Sequence, residues 1–302
     1  METKRAELVE IRPGRTVFFR QEVLCGRGGS NNQDIKIDYN LVILHGTCAA
    51  SSQFDLWLPE LAKTIEERAV CCYLYDAISC GKSPLVKDWK AYETEQAVLD
   101  LHAILENQIE DPTLPTILMG HSYAPTVLVR YLNRFQTTTT TTPRIAGCVL
   151  LSSAVRSESN PVPDGGHSIF VLPVVVLNCL QPSLSKSFVQ AAYHTATADP
   201  QLLQDALQTN DGNDMYMAKA YHQHHKWLSV PDECRRVQNL ATLVVHGQND
   251  LILPPQAGQH LADAIRAQQF VVIDNASHQV MQEQPKELAK VVSSFVKSLL
   301  DT

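Results

Sequence analysis

The stretch PTILMGHSYAPTVLVRYLNR, Pro115 to Arg134, decides the fold. Thr116 to Met119 is an apolar run of strand length, and the spacing after it turns helical, with Ala124, Val127, Leu128 and Tyr131 on one face. Pro125 falls in the first helical turn, where its missing N–H removes no hydrogen bond. Between strand and helix stand Gly120, His121, Ser122, Tyr123 and Ala124. Gly120 and Ala124 are small at the two positions where strand and helix backbones nearly touch in a nucleophile elbow. Such a turn strains the serine between them and exposes its Oγ above the sheet. Ser122 is therefore the candidate nucleophile.

Working outward, Leu8 to Ile11 and Thr16 to Leu24 read as two short strands joined at Pro13-Gly14, forming an antiparallel edge. Asn40 to Leu44 is a compact strand, followed by helical spacing at Phe54, Leu58, Leu61 and Ile65 and by a buried-type strand from Val70 to Tyr75. A helix marked by Val98, Leu101 and Leu105 precedes the Ser122 strand. This alternation predicts a mostly parallel sheet with helices on both faces. It continues through the strand Ala146 to Ser152 and resumes at Thr242 to His246, a helix near Pro255 to Ala267, the strand Phe270 to Ile273, and a terminal helix carrying Leu288, Val291, Val292, Phe295 and Leu299. Arg27 to Asp34 and the six threonines Thr137 to Thr142 read as surface connections.

Between the sixth strand and Leu240 the alternation stops. Ser157 to Gly166 is loop-like, and Ile169 to Leu180 is an apolar run broken by Pro173 and Asn178, read as a buried or lid segment. Helices are expected over Ser185 to Thr197, Pro200 to Gln208 and Asp214 to Trp227. The expected organisation is an α/β core over 1–153 and 240–302, with a mainly helical cap over 154–239 inserted after the sixth strand. Met215, Tyr216, Met217 and Trp227 are candidates to line an apolar acyl site in that cap.

The chain has 302 residues and a net charge of −7, with the two signs interspersed, so there is no basic stripe for nucleic acid. The eight cysteines form no paired framework and no C-x-x-C, which reads as reduced thiols in a cytoplasmic setting. No signal peptide and no apolar run of membrane-spanning length is seen. Peripheral membrane contact stays open, as does the oligomeric state. Gly81-Lys82-Ser83 resembles the end of a phosphate loop, but Asp76 stands where the first glycine is needed and Pro84 interrupts the helix that should follow. His222, His224 and His225 lack a metal-site pattern and are expected on a solvated cap helix. Neither a cofactor nor a metal is expected.

A serine hydroxyl needs a base within hydrogen-bond reach and a third group to orient that base. Asp250 follows the strand ending at His246-Gly247, and His278 follows the strand ending near Ile273. Both therefore belong, like Ser122, to the carboxyl edge of the sheet, where open α/β sheets bind ligands. The backbone N–H groups of Tyr123 and of Thr47, in the loop after His45 and Gly46, are the candidate oxyanion donors, and the Thr47 hydroxyl either assists or caps a turn.

His45-Gly46, Asp76 to Ser83, GHSYA at Gly120 to Ala124, GQND at Gly247 to Asp250 and NASH at Asn275 to His278 occur in the order seen in the α/β-hydrolase superfamily. The chain resembles that superfamily over nearly its whole length. GHSY, together with SIFVLP and NCLQPSLSKSF in the cap, is similar to the animal "α/β-hydrolase domain-containing" subfamily numbered eight. The resemblance implies a serine hydrolase with Ser122 as nucleophile, His278 as base and Asp250 as acid; the complete constellation itself sets the expected reaction as hydrolysis of an acyl ester or lipid. The same residues serve an acyltransferase or thioesterase. A ligand-binding or scaffold protein that keeps the fold without turnover is the other class. Where the superfamily often carries glycines after His-Gly, this chain has Thr47, Cys48, Ala49 and Ala50, so a left-handed turn there would be strained.

Overall fold

The computed structural model describes residues 1–26, 35–135, 143–156, 169–229 and 233–301. The expected connections at Arg27 to Asp34 and Thr137 to Thr142, and the loop-like stretch Ser157 to Gly166, lie outside the described residues.

Eight strands form one sheet: β1 (Glu2–Arg12), β2 (Arg15–Cys25), β3 (Tyr39–Leu44), β4 (Ala69–Asp76), β5 (Thr116–His121), β6 (Ile145–Leu151), β7 (Ala241–Gly247) and β8 (Gln269–Ile273). Their order across the sheet is β1-β2-β4-β3-β5-β6-β7-β8. β1 and β2 pair antiparallel, as do β2 and β4, and every later pair is parallel. β3, β4 and β5 are buried along their whole length, which is why they read as continuous apolar runs without alternation. Successive residues still point to opposite faces. Val42 and Leu44 pack on the side of α2 (Thr94–Asn107), α3 (Ala124–Phe135) and α7 (Pro255–Ile265). Leu41 and Ile43 pack on the side of α1 (Leu58–Thr64), α8 (Val280–Glu283) and α9 (Pro285–Leu300).

The hairpin β1–β2 is longer than the apolar pattern suggests, eleven residues a strand. The added residues are the charged ones of an edge strand, whose outer face needs no apolar side chains. Arg15 and Arg12 both bind the Asp100 carboxylate, Arg15 Nη2 at 2.6 Å and Arg12 Nη2 at 2.7 Å, fastening the hairpin to α2.

Among the described residues, three α-helices lie between β6 and β7: α4 (Val174–Ala192), α5 (Pro200–Asp211) and α6 (Met215–His224). α4 departs from the sequence expectation at both ends. It begins inside the apolar run, passes through Pro182 and stops at Ala192, short of Thr197. Most of the run is exposed, Val175 at 69% and Val176 at 39%, while Leu177 is buried. α6 ends three residues early, and His225, at φ −61° and ψ 120°, begins an extended segment.

Candidate active site

The elbow forms because the strand must turn into the helix within two residues. Ser122 is at φ 58°, a left-handed conformation that costs a non-glycine residue roughly 1–3 kcal/mol. Its N–H donates to Leu151 O at 2.9 Å, anchoring the turn to β6. A Cβ on Gly120 would lie 3.0 Å from Leu128 Cδ1 and 3.1 Å from Pro125 N, so a larger residue would push strand and helix apart.

Ser122, His278 and Asp250, from three separate loops, stand in one hydrogen-bonded row. Ser122 Oγ lies 3.0 Å from His278 Nε2, and His278 Nδ1 lies 2.8 Å from Asp250 Oδ2. Asp250 Oδ1 accepts the N–H groups of Ile252 and Leu253, which fixes the carboxylate plane. Burial pushes the Asp250 carboxyl up, but the charge of His278 and hydrogen bonds from His246 and His278 outweigh it and hold its pKa well below the carboxylate range. With Asp250 ionised, His278 Nδ1 keeps its proton and Nε2 is left to take the one on Ser122.

His246, to which the sequence reading gave no role, is a second histidine on the acid. Its Nε2–H donates to Leu253 O at 2.7 Å and lies 3.3 Å from Asp250 Oδ2. Gly258 makes room for that ring, since a Cβ there would be 2.3 Å from His246 Nδ1. The i, i+4 spacing of His246 and Asp250 was the available signal.

His121 and Gly46 work together through Gln53, another residue the sequence reading missed. Gly46 N–H donates to Gln53 Oε1 at 3.1 Å, and Gln53 Nε2 donates to His121 Nδ1 at 2.9 Å. That makes His121 Nε2 the protonated nitrogen, and it donates to the carbonyl of His278 at 2.9 Å. Burial, reinforced by the His278 charge, drives the His121 pKa well below its ordinary value, so the ring bridges as a neutral imidazole. One chain of side chains thus joins the loop after β3, the elbow and the backbone of His278. Nothing local in the sequence marks Gln53, which sits in a short 3-10 turn over Ser51–Phe54.

Gly46 packs directly against the serine, and a Cβ there would lie 3.2 Å from Ser122 Cβ and 2.7 Å from His121 Nδ1. His45 accepts the Ala77 N–H at Nε2 and donates from Nδ1 to Gly46 O, setting the path of the loop. Beyond Thr47 the predicted strain is present, with Cys48 at φ 57°. Burial pushes the Cys48 thiol up to about 12, so it stays protonated at the cavity wall. The Asp76-to-Ser83 segment is structural: Asp76 accepts the N–H groups of Ser51 and Lys82, and Ser83 Oγ donates to the Asp76 carbonyl.

Above this row lies a cavity of about 360 Å³. Ser122, His278, Gly46 and Thr47 line one side, and Phe170, Leu184, Met215, Ala218 and Trp227 line the other. Of the four residues expected at an apolar acyl site, Met215 and Trp227 line the cavity. Tyr216 instead packs on Trp89 and Tyr92, and Met217 is buried in the core. The expected solvated histidine helix is corrected here. His222 stacks on Phe170 with ring centroids 4.0 Å apart, and His225 stacks on Tyr123 at 3.9 Å. Both histidines line the cavity. Their apolar neighbours give them packing that a surface helix would lack.

Among the described residues, no group of three or more His, Cys, Asp or Glu side chains is arranged to hold a metal ion, and no helix is long and apolar enough to cross a membrane. All eight cysteines are free thiols.

The human protein called Protein ABHD8 is 28% identical to this chain over 130 residues, which is 43% of this chain and 29% of that protein. The chain thus spans under a third of the length of that relative. The AB hydrolase superfamily protein YisY of Bacillus subtilis is 22% identical over 273 residues, 88% of this chain and 94% of that one. Among solved structures, a thermophilic esterase from Thermogutta terrifontis superposes with a TM-score of 0.74 at 18% identity, covering 97% of this chain and 99% of that chain, a likeness of fold. The model of the alpha/beta hydrolase family matches residues 41–291, from β3 into the first part of α9, and so takes in every loop of the hydrogen-bonded row. The chain belongs to the alpha/beta hydrolase family.

Proposed function

We propose that this chain is a serine hydrolase of carboxylic esters with an apolar acyl group. The observation that carries this reading is the row Ser122–His278–Asp250, at 3.0 and 2.8 Å, with the serine in a strained left-handed turn at the cavity wall. Ser122 Oγ attacks the ester carbonyl while His278 Nε2 takes its proton, and Asp250 steadies the imidazolium. The amides of Tyr123 and Thr47 receive the oxyanion. His278 then gives its proton to the leaving alcohol, and a water activated by the same imidazole releases the acid. Phe170, Leu184 and Met215 suit an acyl chain, and the segment 154–239 acts as the cap that encloses it. The esterase of similar fold supports the ester class.

A fluorophosphonate probe should label the wild-type chain and not Ser122→Ala, and p-nitrophenyl ester turnover should fall about 10⁶-fold in that variant. Folded wild-type protein that takes up no label and turns over no ester overturns the reading.

A further inference from the structure

The loop expected to carry one oxyanion donor is the part of the site least able to hold its own shape. Cys48 at φ 57° is in a region that glycine enters freely and cysteine enters only under strain. Such a conformation persists when surrounding structure over-determines it. From the core side, Ala49 N–H reaches Gly46 O at 3.2 Å.

Two further ties come from the helical insertion, one to each of the two residues at the turn. Asn213 Nδ2, just ahead of α6, donates to Cys48 O at 3.1 Å. His225 Nε2, just beyond α6, lies 2.7 Å from Thr47 Oγ1. The second oxyanion residue is tied to the same stretch, because the Tyr123 hydroxyl accepts the Lys226 N–H at 2.8 Å and its ring lies flat on His225. The two ends of one helix therefore grip the loop that faces the nucleophile.

We propose that Asn213 and His225 are positioning residues that hold Thr47 and Cys48 in the left-handed turn, so that the oxyanion hole is assembled by the seating of the insertion on the core. This deepens the serine-esterase reading and rests on it. Freed of both ties, Cys48 relaxes toward negative φ and swings the chain that carries the Thr47 amide. A displacement of about 1 Å at a catalytic group can cost on the order of 10²-fold in rate.

The test is steady-state hydrolysis of p-nitrophenyl butyrate by the full chain, with fluorophosphonate labelling and thermal melts alongside. The double variant Asn213→Ala/His225→Ala is expected to lose about 10²-fold in kcat with little change in KM, and to label more slowly to a similar degree. Adding Cys48→Gly, which removes the strain the two residues oppose, is expected to recover about tenfold in that background. His225→Gln, which keeps an amide within reach of Thr47, is expected to stay within about threefold of wild type and serves if the double variant fails to fold. His225→Ala alone then carries the comparison. An unchanged kcat, a loss confined to KM, or a loss that Cys48→Gly leaves untouched overturns the coupling. A wild-type chain that neither labels nor turns over overturns the esterase reading, and this proposal with it.

Discussion

The two walls of the cavity are built by different rules. On the core side three short loops, each within about five residues of a strand end, each place one side chain of the hydrogen-bonded row: Ser122 after β5, Asp250 after β7, His278 after β8. The wall of the helical insertion works at a distance. Asn213 reaches a residue 165 positions away in the chain, and His225 one 178 positions away. Local backbone geometry at a strand end is written in a few neighbouring residue types. A long-range grip is written in two residues that carry no motif.

If the core wall acts as one unit, its weakest-looking member should still be indispensable. Asp250→Asn is expected to lower kcat about 10⁴-fold, because an amide at Oδ2 leaves His278 with the wrong nitrogen protonated. Esterase kinetics at neutral pH check this. A loss under about tenfold would mean that the Asp250 carboxylate does not set which His278 nitrogen carries the proton.

Where the walls meet, at Gly46, a smaller but still large effect is expected. The methyl of Gly46→Ala would sit 2.7 Å from His121 Nδ1, so the loop has to back away from Ser122. Loss of one oxyanion donor costs about 10²- to 10³-fold in kcat, which is the fall expected here, with KM and the melting temperature little moved. A kcat within threefold of wild type would show that the oxyanion is held without this loop.

The same division explains what was legible in the sequence. The parallel sheet could be read because β3, β4 and β5 are buried on both faces and so appear as uninterrupted apolar runs. The row Ser122–His278–Asp250 could be read because each member sits in a small-residue turn directly after such a run. The insertion was read less well. α4 shows solvent apolar side chains at Val175 and Val176 and keeps a proline inside the helix, so neither burial periodicity nor the usual breaker marks its ends. His225 read as part of a helix because its neighbours are helix-compatible, yet stacking on Tyr123 and the contact with Thr47 hold it extended. Gln53 was invisible for a related reason: its role is a pair of hydrogen bonds to Gly46 and His121 that tie the connection after β3 to the elbow.

The smallest effect expected is on stability, and it asks whether the wall of the insertion is as dry as its packing implies. Burial lowers the His222 pKa from 6.5 to about 4. Between those values the unfolded chain binds a proton at this position that the folded chain does not, so stability rises with pH across the window and falls as the solution is acidified below 6.5. Above pH 6.5 both states are neutral there and the contribution vanishes. His222→Phe keeps an aromatic ring against Phe170 and removes the titrating group. Its melting temperature should therefore decline less steeply than that of wild type from pH 6.5 toward 4, whatever its offset at neutral pH. Parallel profiles would mean that His222 takes up its proton as easily folded as unfolded, and that water reaches the wall of the insertion in a way the close stacking on Phe170 does not provide.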